Sequence, residues 1–284
     1  WDELRASDGS LRPAWARFAA LLPPLPPGVD RAEDLNRRRR QLSEQIQRDG
    51  VTHNVFGVEG VASRPWSLEL LPLIIEPADW AGLTQRATLL ERILADIYGP
   101  RRLLAEGLLP PALVFRHPGY ARPLRGVRPA GGRHLLIIAF DIARGPEGGW
   151  WLVAQRTQVP AGLGYVLHNR LLVMAQFSEA FRELRVQHIA SGYRRLLEAI
   201  EGPARELAEG QPPRLVLLTA GPYSETWYEQ AYLARYLGLT LVEGGDLQVR
   251  DERLWLKTVE GLEPVHGLLR RVDDDWCDPL ELRP

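Results

Sequence analysis

The sequence predicts an α/β protein. Residues 214–219 form a continuous apolar run of strand length, residues 225–237 have a helical pattern, and residues 239–243 form a second apolar run. A buried strand, a helix and another buried strand in succession are typical of a parallel βαβ unit. Earlier in the chain, residues 80–97 repeat apolar side chains at spacings of three and four, which predicts an amphipathic helix. We therefore expect an α+β part followed by a Rossmann-like parallel-sheet part.

The composition excludes several classes of protein. The 284 residues include 35 basic and 36 acidic side chains, for a formal net charge of -1. A uniform basic field is therefore absent, and nucleic acid is not expected as a partner. The single cysteine, Cys277, excludes an internal disulfide. No apolar run has the length of a membrane span and the first thirteen residues lack a signal-peptide pattern, so we expect a cytoplasmic protein without membrane contact.

The first half of the chain predicts helices with two extended runs. Residues 13–22 and 31–49 read as helices separated by a run rich in proline. Four arginines at 37–40 cover all sides of one helical turn, and we expect them to form a solvated, salt-bridged surface. Residues 51–57 are predicted as a strand and residues 66–75 as a second extended run.

The second half predicts more elements and a domain boundary. Strands are expected at 135–143, 150–153 and 265–272, helices at 165–177, 179–184 and 193–207, and a small hairpin at 249–255. Residues 210–213 are rich in glycine and proline, which predicts domains at 1–210 and 211–284. Because the chain begins at Trp1 rather than Met and ends soon after a dense charge run, we expect a piece of a longer protein.

One candidate site is the turn that follows Thr219. In a doubly wound fold the loop at the carboxyl end of a parallel strand is where a ligand binds. Gly221 permits close approach of the backbone, and Tyr223, Ser224 and Glu225 offer polar groups. The alternative is an ordinary strand-to-helix turn in which Ser224 is the helix N-cap.

A second candidate is the charged run after residue 269. Arg270 and Arg271 are followed by Asp273, Asp274 and Asp275. Guanidinium groups beside carboxylates are what a nucleotide with magnesium requires. Alternatively, the arginines neutralise the aspartates. Consecutive aspartates on a strand point to opposite faces, which weakens the magnesium interpretation.

A third candidate is Asp141, which lies inside an apolar strand pattern. A buried carboxylate requires a partner, and Arg156 or Arg170 could supply it in a structural ion pair. The six histidines form no short-spaced ligand pair, so zinc catalysis is not expected.

Several segments together resemble the circularly permuted ATP-grasp proteins of type 2, relatives of glutathionylspermidine synthetase. The form of the run at 154–158 looks most like the branch fused to an alpha-E domain. The matching segments, in family order along the whole chain, are 1–4, 50–52, 64–66, 108–114, 156–162, 221–223, 241–247 and 270–275.

The resemblance implies an ATP-dependent carboxylate-amine ligase, with ATP and magnesium as cofactors. Its substrates would be small-molecule or peptide carboxylates and amines, and the alpha-E domain is an implied partner. The segment would carry the metal-binding half of the module and a Rossmann-like domain. The resemblance assigns no catalytic residue here. The implied ligand-cleft residues are Arg156, Gln158, Asn169, Arg170, Tyr223, Glu225, Arg270, Arg271, Asp273, Asp274 and Asp275.

The implied metal site departs from the family pattern. Typical members carry Glu-Asp-Asn where this chain has Ala154, Gln155 and Arg156, so that Asp141 is the remaining acidic ligand. One carboxylate beside an arginine is a poor magnesium site. We therefore expect Arg156 to face Asp141 in place of the metal, and Arg156→Ala to destabilise the fold by roughly 3–5 kcal/mol as a broken buried pair. The alternative function is a catalytically inactive relative that binds a peptide, carboxylate or partner in the same cleft.

Overall fold

The computed structural model describes residues 2–54 and 63–277. Its contacts divide the chain into two compact units, one formed by the residues up to Ile74 together with those from Gln158, and the other by Ile75–Thr157. The predicted boundary near residue 210 falls inside the first unit. The proposed division into domains at 210 stays a prediction.

The chain combines helices with small sheets, which confirms the predicted mixed class. The α-helices are α1 Pro13–Ala20, α2 Arg31–Arg48, α3 Pro77–Tyr98, α4 Arg102–Ala105, α5 Pro111–Phe115, α6 Leu163–Gln176, α7 Ser178–Glu183, α8 Ala190–Leu207 and α9 Trp227–Leu237. The strands are β1 Thr52–His53, β2 Arg64–Pro65, β3 Ala139–Arg144, β4 Trp150–Arg156, β5 Leu215–Leu218, β6 Thr240–Val242, β7 Leu247–Arg250, β8 Arg253–Thr258, β9 Gly261–Pro264 and β10 Gly267–Arg270.

A three-stranded parallel sheet organises the end of the chain. Its strand order is β10-β5-β6, and α9 connects β5 to β6. Val216 and Leu217 on the central strand are completely buried, as expected for a parallel strand covered on both faces. This confirms the predicted βαβ unit. The predicted strand at 265–272 is shorter than expected, because only Gly267–Arg270 pairs with β5.

Helix α6 lies between two apolar clusters of the first unit. On one side Tyr165 and Leu172 pack with side chains that include Phe18 and Leu42. On another side Leu167 packs with Leu217 and the α9 residues. A helix that is covered on several sides holds its polar residues in fixed positions.

The charged turn of α2 forms the expected salt-bridged surface except at Arg38. Asp34 is buried and binds both Arg37 and Arg38, with 3.0 Å between its Oδ2 and Arg38 Nε. Arg38 also donates to the carbonyl of Gln176. The arginine run is therefore solvated only in part, because the Arg38 side chain is 14% exposed.

The strand and the extended run that were predicted in the first half form little β-structure. Of the predicted strand at 51–57, Thr52–His53 pairs with Arg64–Pro65, while residues 55–57 lie outside the described residues. Residues 66–75 form no strand. Their apolar side chains pack into the core instead, and Leu70 is completely buried.

The second unit combines α3 with a two-stranded antiparallel sheet. Strand β4 continues to Arg156, three residues beyond its predicted end, and a register shift follows Asp141 on β3. The predicted hairpin at 249–255 is part of a three-stranded antiparallel sheet in the first unit, with order β7-β8-β9.

Candidate functional site

The carboxyl ends of the parallel strands bring two of the candidate segments to one edge of the sheet. Arg270 on β10 is aligned with Leu218 on β5, which in turn is aligned with Val242 on β6. The turn after Thr219 and the charged run after Arg270 both leave the sheet at this edge. In open α/β sheets this is where ligands bind.

The turn after β5 is held by a closed hydrogen-bond network. The Thr219 hydroxyl accepts from the backbone N–H of Gly221 at 3.0 Å and bonds the side-chain oxygen of Gln230. The Gln230 amide nitrogen donates to the hydroxyls of Ser224 and Thr226 at 3.0 and 2.9 Å. Helix α9 begins at Trp227, so Ser224 is not its N-cap. The assignment of Ser224 as the N-cap is therefore wrong, and the ligand site at this turn stays a prediction.

Asn54, which is distant in sequence, forms hydrogen bonds to the backbone of the same turn. Its side-chain amide donates to the carbonyls of Pro222 and Ser224, at 3.0 and 2.8 Å. Its backbone N–H donates to the carbonyl of Glu225 at 2.9 Å. The backbone of the turn is thus fixed, whereas the Tyr223 side chain is 83% exposed.

A buried ion pair joins α9, the start of α6 and the end of β10. Glu229 Oε1 lies 2.9 Å from Arg271 Nη2, and the two side chains are 0% and 2% exposed. Glu229 Oε2 accepts the backbone N–H groups of Gly162 and Gly164, both at 2.9 Å. Arg271 Nη1 donates to the carbonyl of Pro160 at 2.8 Å. Burial lowers the pKa of Arg271, and the Glu229 carboxylate opposes that shift.

The carboxylate of Glu229 occupies the position that an anionic ligand takes at a helix N-terminus. The N–H groups of Gly162 and Gly164 stand at the first turn of α6 and are already hydrogen-bonded. The network thereby fixes residues 160–164 against the sheet. Arg271 has a structural role in this network. That it also contacts a ligand stays a prediction.

Sequence reasoning missed Glu229 although the pattern contained a signal. Glu229, Leu233 and Leu237 repeat at a spacing of four, and all three are buried. A charged residue in the apolar stripe of a helix requires a buried partner of opposite charge. Arg271 could not be identified as that partner before the strands were placed.

Several polar side chains at this edge have no partner among the described residues, whereas those of Glu243 and Asp246 cap the turn that follows β6. The side chains of Arg270, Asp273, Asp274 and Asp275 form no ion pair or hydrogen bond with any other residue in the described ranges. The alternative that the arginines neutralise the aspartates is therefore not observed. The three aspartates and Glu225 are exposed, and Arg270 is partly buried.

Three further candidates lie on α6 or directly before it. Asn169 Oδ1 accepts from the Trp66 indole at 2.9 Å, and Trp66 stacks on Tyr165 with ring centroids 4.0 Å apart. Arg170 donates to the carbonyl of Gln187 at 3.0 Å, and burial lowers its pKa. Gln158 is exposed.

Asp141 and Arg156 face each other on neighbouring strands, as predicted. Arg156 Nη2 lies 2.7 Å from Asp141 Oδ2. The expected destabilisation of roughly 3–5 kcal/mol for a buried pair is too large. The side chains of Arg156 and Asp141 are 66% and 44% exposed, so the pair is not buried. An exposed ion pair contributes about 1 kcal/mol at most.

The donor set around Asp141 does not fit a magnesium ion. Ala154 is the cross-strand partner of Asp141 and offers no oxygen from its side chain. The Asp141 carboxylate is engaged by a permanently charged guanidinium. Within the part of the chain that the structure describes, no group of three or more histidine, cysteine or acidic side chains is arranged to hold a metal.

The candidate residues are distributed over the two units. Asp141 and Arg156 belong to Ile75–Thr157, and the other candidates belong to the first unit. A single ligand cleft formed by all of them stays a prediction.

Comparison with known proteins gives one family and several uncharacterized relatives. The family model for circularly permuted ATP-grasp type 2 matches residues 72–284. An uncharacterized protein of Mycobacterium tuberculosis is 39% identical over 296 residues, which cover all of this chain and 33% of the relative. One from Synechocystis is 32% identical over 293 residues, covering all of this chain and 58% of the relative.

The chain therefore spans one third to about three fifths of the length of these curated relatives. Among the helices of the described residues, none has the length and hydrophobicity needed to cross a bilayer. The family model matches three quarters of the sequence, from α3 through the parallel sheet to the charged run. The chain belongs to the circularly permuted ATP-grasp type 2 family.

Proposed function

We propose that this chain is part of an ATP-dependent carboxylate-amine ligase and contributes a ligand-binding edge to it. One observation carries the proposal. Polar side chains at the carboxyl edge of the parallel sheet have no partner among the described residues, in a chain of the ATP-grasp family. Arg270 has the planar, permanently charged donors that suit a phosphate or carboxylate. Tyr223 and Glu225 extend from a turn whose backbone is fixed by Asn54 and Gln230.

The proposed reaction makes an amide in two steps. A carboxylate oxygen of the substrate attacks the γ-phosphorus of ATP, which gives an acyl phosphate and releases ADP. The nitrogen of an amine then attacks the acyl carbon, phosphate leaves, and the nitrogen loses a proton. Catalysis of such steps depends on positioning and on stabilising the charge that develops. Arg270 would supply positive charge at the edge of the sheet.

Magnesium has no assigned place in this proposal. Asp141 is paired with Arg156, and Ala154 stands opposite it, so this strand pair lacks the oxygens that the ion requires. We therefore assign no step to a metal at Asp141.

A second candidate function is binding of a carboxylate or peptide without turnover. The Asp141–Arg156 pair favours it, since a guanidinium replaces the cation that phosphoryl transfer would need there. The alpha-E domain as a partner, and a cytoplasmic location, also remain proposals.

ATP binding separates the two candidates. We expect residues 1–284 to bind ATP weakly and to form no amide alone. Arg270→Gln should weaken ATP binding about tenfold, as expected for a lost charge-assisted hydrogen bond. Arg194→Gln, on the exposed surface of α8, is the matched control and should leave it unchanged.

Three outcomes would decide between the ligase, the binding protein and a site without Arg270. Equal ATP affinity in Arg270→Gln and the unchanged chain would remove Arg270 from the site. Complete absence of ATP binding would favour the binding protein. Steady ADP release that depends on both an added amine and a carboxylate would overturn the expectation that this segment is inactive alone.

The metal site can be tested by restoring the ligand types that the resemblance implies. Ala154→Glu combined with Arg156→Asn places a carboxylate opposite Asp141 and removes the guanidinium. We expect magnesium to raise the melting temperature of this variant and to leave the unchanged chain unaffected, because a ligand stabilises only a state that binds it. Arg156→Asn alone is the control. A magnesium-dependent rise in the unchanged chain would refute the replacement of the metal by Arg156.

A further inference from the structure

Helices α2, α6 and α9 line an open pocket of about 700 Å³ within the first unit. This volume is in the range of small-molecule sites. Each helix presents one face to it, through residues spaced three or four apart. The lining residues on which the argument rests are Arg48 and Asp49 at the end of α2, His168 on α6, and Tyr228, Tyr232 and Arg235 on α9.

The pocket carries more positive than negative charge. Arg48 and Arg235 line it, and neither forms an ion pair with a residue that the structure describes. Arg48 donates to Gln45 Oε1 at 2.9 Å, and the guanidinium carbon of Arg235 lies 5.5 Å from the centre of the Tyr232 ring. Among the lining residues that the structure describes, Asp49 is the one carboxylate, so with His168 neutral they carry an excess of one positive charge.

That carboxylate is already engaged within the protein. Asp49 Oδ1 accepts from the Gln45 amide at 2.6 Å, and its Oδ2 lies 3.3 Å from His168 Nε2. His168 is 7% exposed, and its Nε2 has no partner with hydrogen-bond geometry. Elsewhere on α2, Arg37 and Arg38 both bind Asp34, and Arg39 donates to the neutral side chain of Asn36. Arg48 is left for another anion.

The pocket also offers flat apolar surface. The rings of Tyr228 and Tyr232 are nearly parallel, at 16° with centroids 5.9 Å apart. His168 meets both rings edge-on, at 5.9 and 5.2 Å. Leu42 and Leu172 form buried apolar surface beside them. Aromatic walls of this kind favour a planar ligand.

We propose that this pocket binds a small aromatic acid, with its anionic group held by Arg48 and Arg235 and its ring against Tyr228 and Tyr232. An arginine guanidinium binds a carboxylate or a phosphate through two parallel hydrogen bonds. A ring with an attached anion satisfies both surfaces of the pocket at once. None of the residues proposed for the ligase lines this pocket, so neither proposal depends on the other.

The test is calorimetric titration of residues 1–284 with four probes. Benzoate and phenyl phosphate carry a ring and an anion, benzamide carries the ring without the charge, and acetate carries the charge without the ring. We expect saturable binding of benzoate or phenyl phosphate, with benzamide and acetate at least about tenfold weaker. Tighter binding of benzoate would indicate a carboxylic acid as the ligand class, and tighter binding of phenyl phosphate a phosphate ester.

Variants assign the binding to the pocket. Arg48→Gln and Arg235→Gln should each weaken binding of the better probe about tenfold. Both side chains are exposed, so the fold should be retained, which the melting temperature checks. Arg39→Gln, on the same helix but outside the lining, is the matched control and should change nothing. The proposal fails if neither anionic probe binds, if benzamide binds as tightly as benzoate, or if both arginine variants bind as the unchanged chain does.

Discussion

Glu229 is the residue on which the start of α6 depends. Its carboxylate has no exposed surface, accepts two backbone N–H groups and faces the nearly fully buried Arg271. A buried charge is tolerated only when its hydrogen bonds and its counter-charge are complete. Among the described residues, two backbone N–H groups and the Arg271 guanidinium donate to the carboxylate, so an uncharged side chain of the same size cannot replace it.

Glu229→Gln should therefore destabilise the protein. The amide nitrogen must face either the glycine N–H groups or the guanidinium, and each choice sets a donor against a donor. Arg271 would also lose its counter-charge. We expect a loss of about 3–5 kcal/mol in the free energy of unfolding, measured by chemical denaturation.

The matched control is Glu201→Gln on α8. Glu201 Oε2 binds Arg205 at 2.7 Å, but Arg205 is 67% exposed and the pair is one helical turn apart. Such a pair contributes about 0.3–0.5 kcal/mol. An equal loss of unfolding free energy in Glu229→Gln and Glu201→Gln would show that Glu229 has no special structural role.

At the scale of elements, α6 and α9 approach each other so closely that one position requires glycine. A Cβ atom added to Gly164 would lie 2.4 Å from the backbone carbonyl oxygen of Glu229. Backbone cannot move aside as the end of a flexible side chain can. Gly164 thus permits the contact in which its own N–H reaches the Glu229 carboxylate.

Gly164→Ala should separate the two helices and weaken the buried ion pair. We expect a loss of about 1–3 kcal/mol in the free energy of unfolding, the usual cost of overpacking. Gly192→Ala on α8 is the control, since nothing lies within 4 Å of its added Cβ. This control should stabilise the protein by about 0.4–1 kcal/mol. A neutral or stabilising effect of Gly164→Ala would contradict the close approach.

At the scale of the whole molecule, the two units differ in how much apolar surface they bury. In Ile75–Thr157 the nearly completely buried apolar side chains are those of Leu83, Ile97 and Val114. Trp151 and Val153 on β4 are more than 60% exposed there. By contrast, Val216 and Leu217 of β5 and Leu233 of α9 have no exposed surface. Local stability follows the burial of apolar contacts.

Hydrogen exchange should separate the units. Amides of the β3–β4 pair are expected to exchange faster than those of β5 and α9, because opening the smaller interior exposes less apolar surface. Mass spectrometry of peptides that cover 139–156 and 215–237 measures this difference, with the unfolded chain as the reference for intrinsic rates. Equal protection in both peptides would show that the chain opens as one cooperative unit.

Local patterns were sufficient where an element depends on its own residues. The apolar run at 214–219 and the helix that follows predicted the βαβ unit, since a strand buried on both faces is apolar at every position. The Asp141–Arg156 pair was also predicted, although the expected burial of the carboxylate is wrong, since neither side chain is buried. The lengths of the strands could not be predicted from the local pattern, because β1, β4 and β10 end where their neighbouring strands end.

The sequence by itself determined the mixed class, the succession of most helices and strands, and the family. Only the tertiary structure decided which polar side chains form hydrogen bonds or ion pairs within the described residues and which do not. Arg270 and Arg271 are adjacent in sequence, yet Arg271 is buried against Glu229, which lies 42 residues earlier, while Arg270 has no partner among the described residues. The physical reason is that the counter-charge of a buried residue is chosen by proximity in space, and that proximity is established when α9 packs on the sheet.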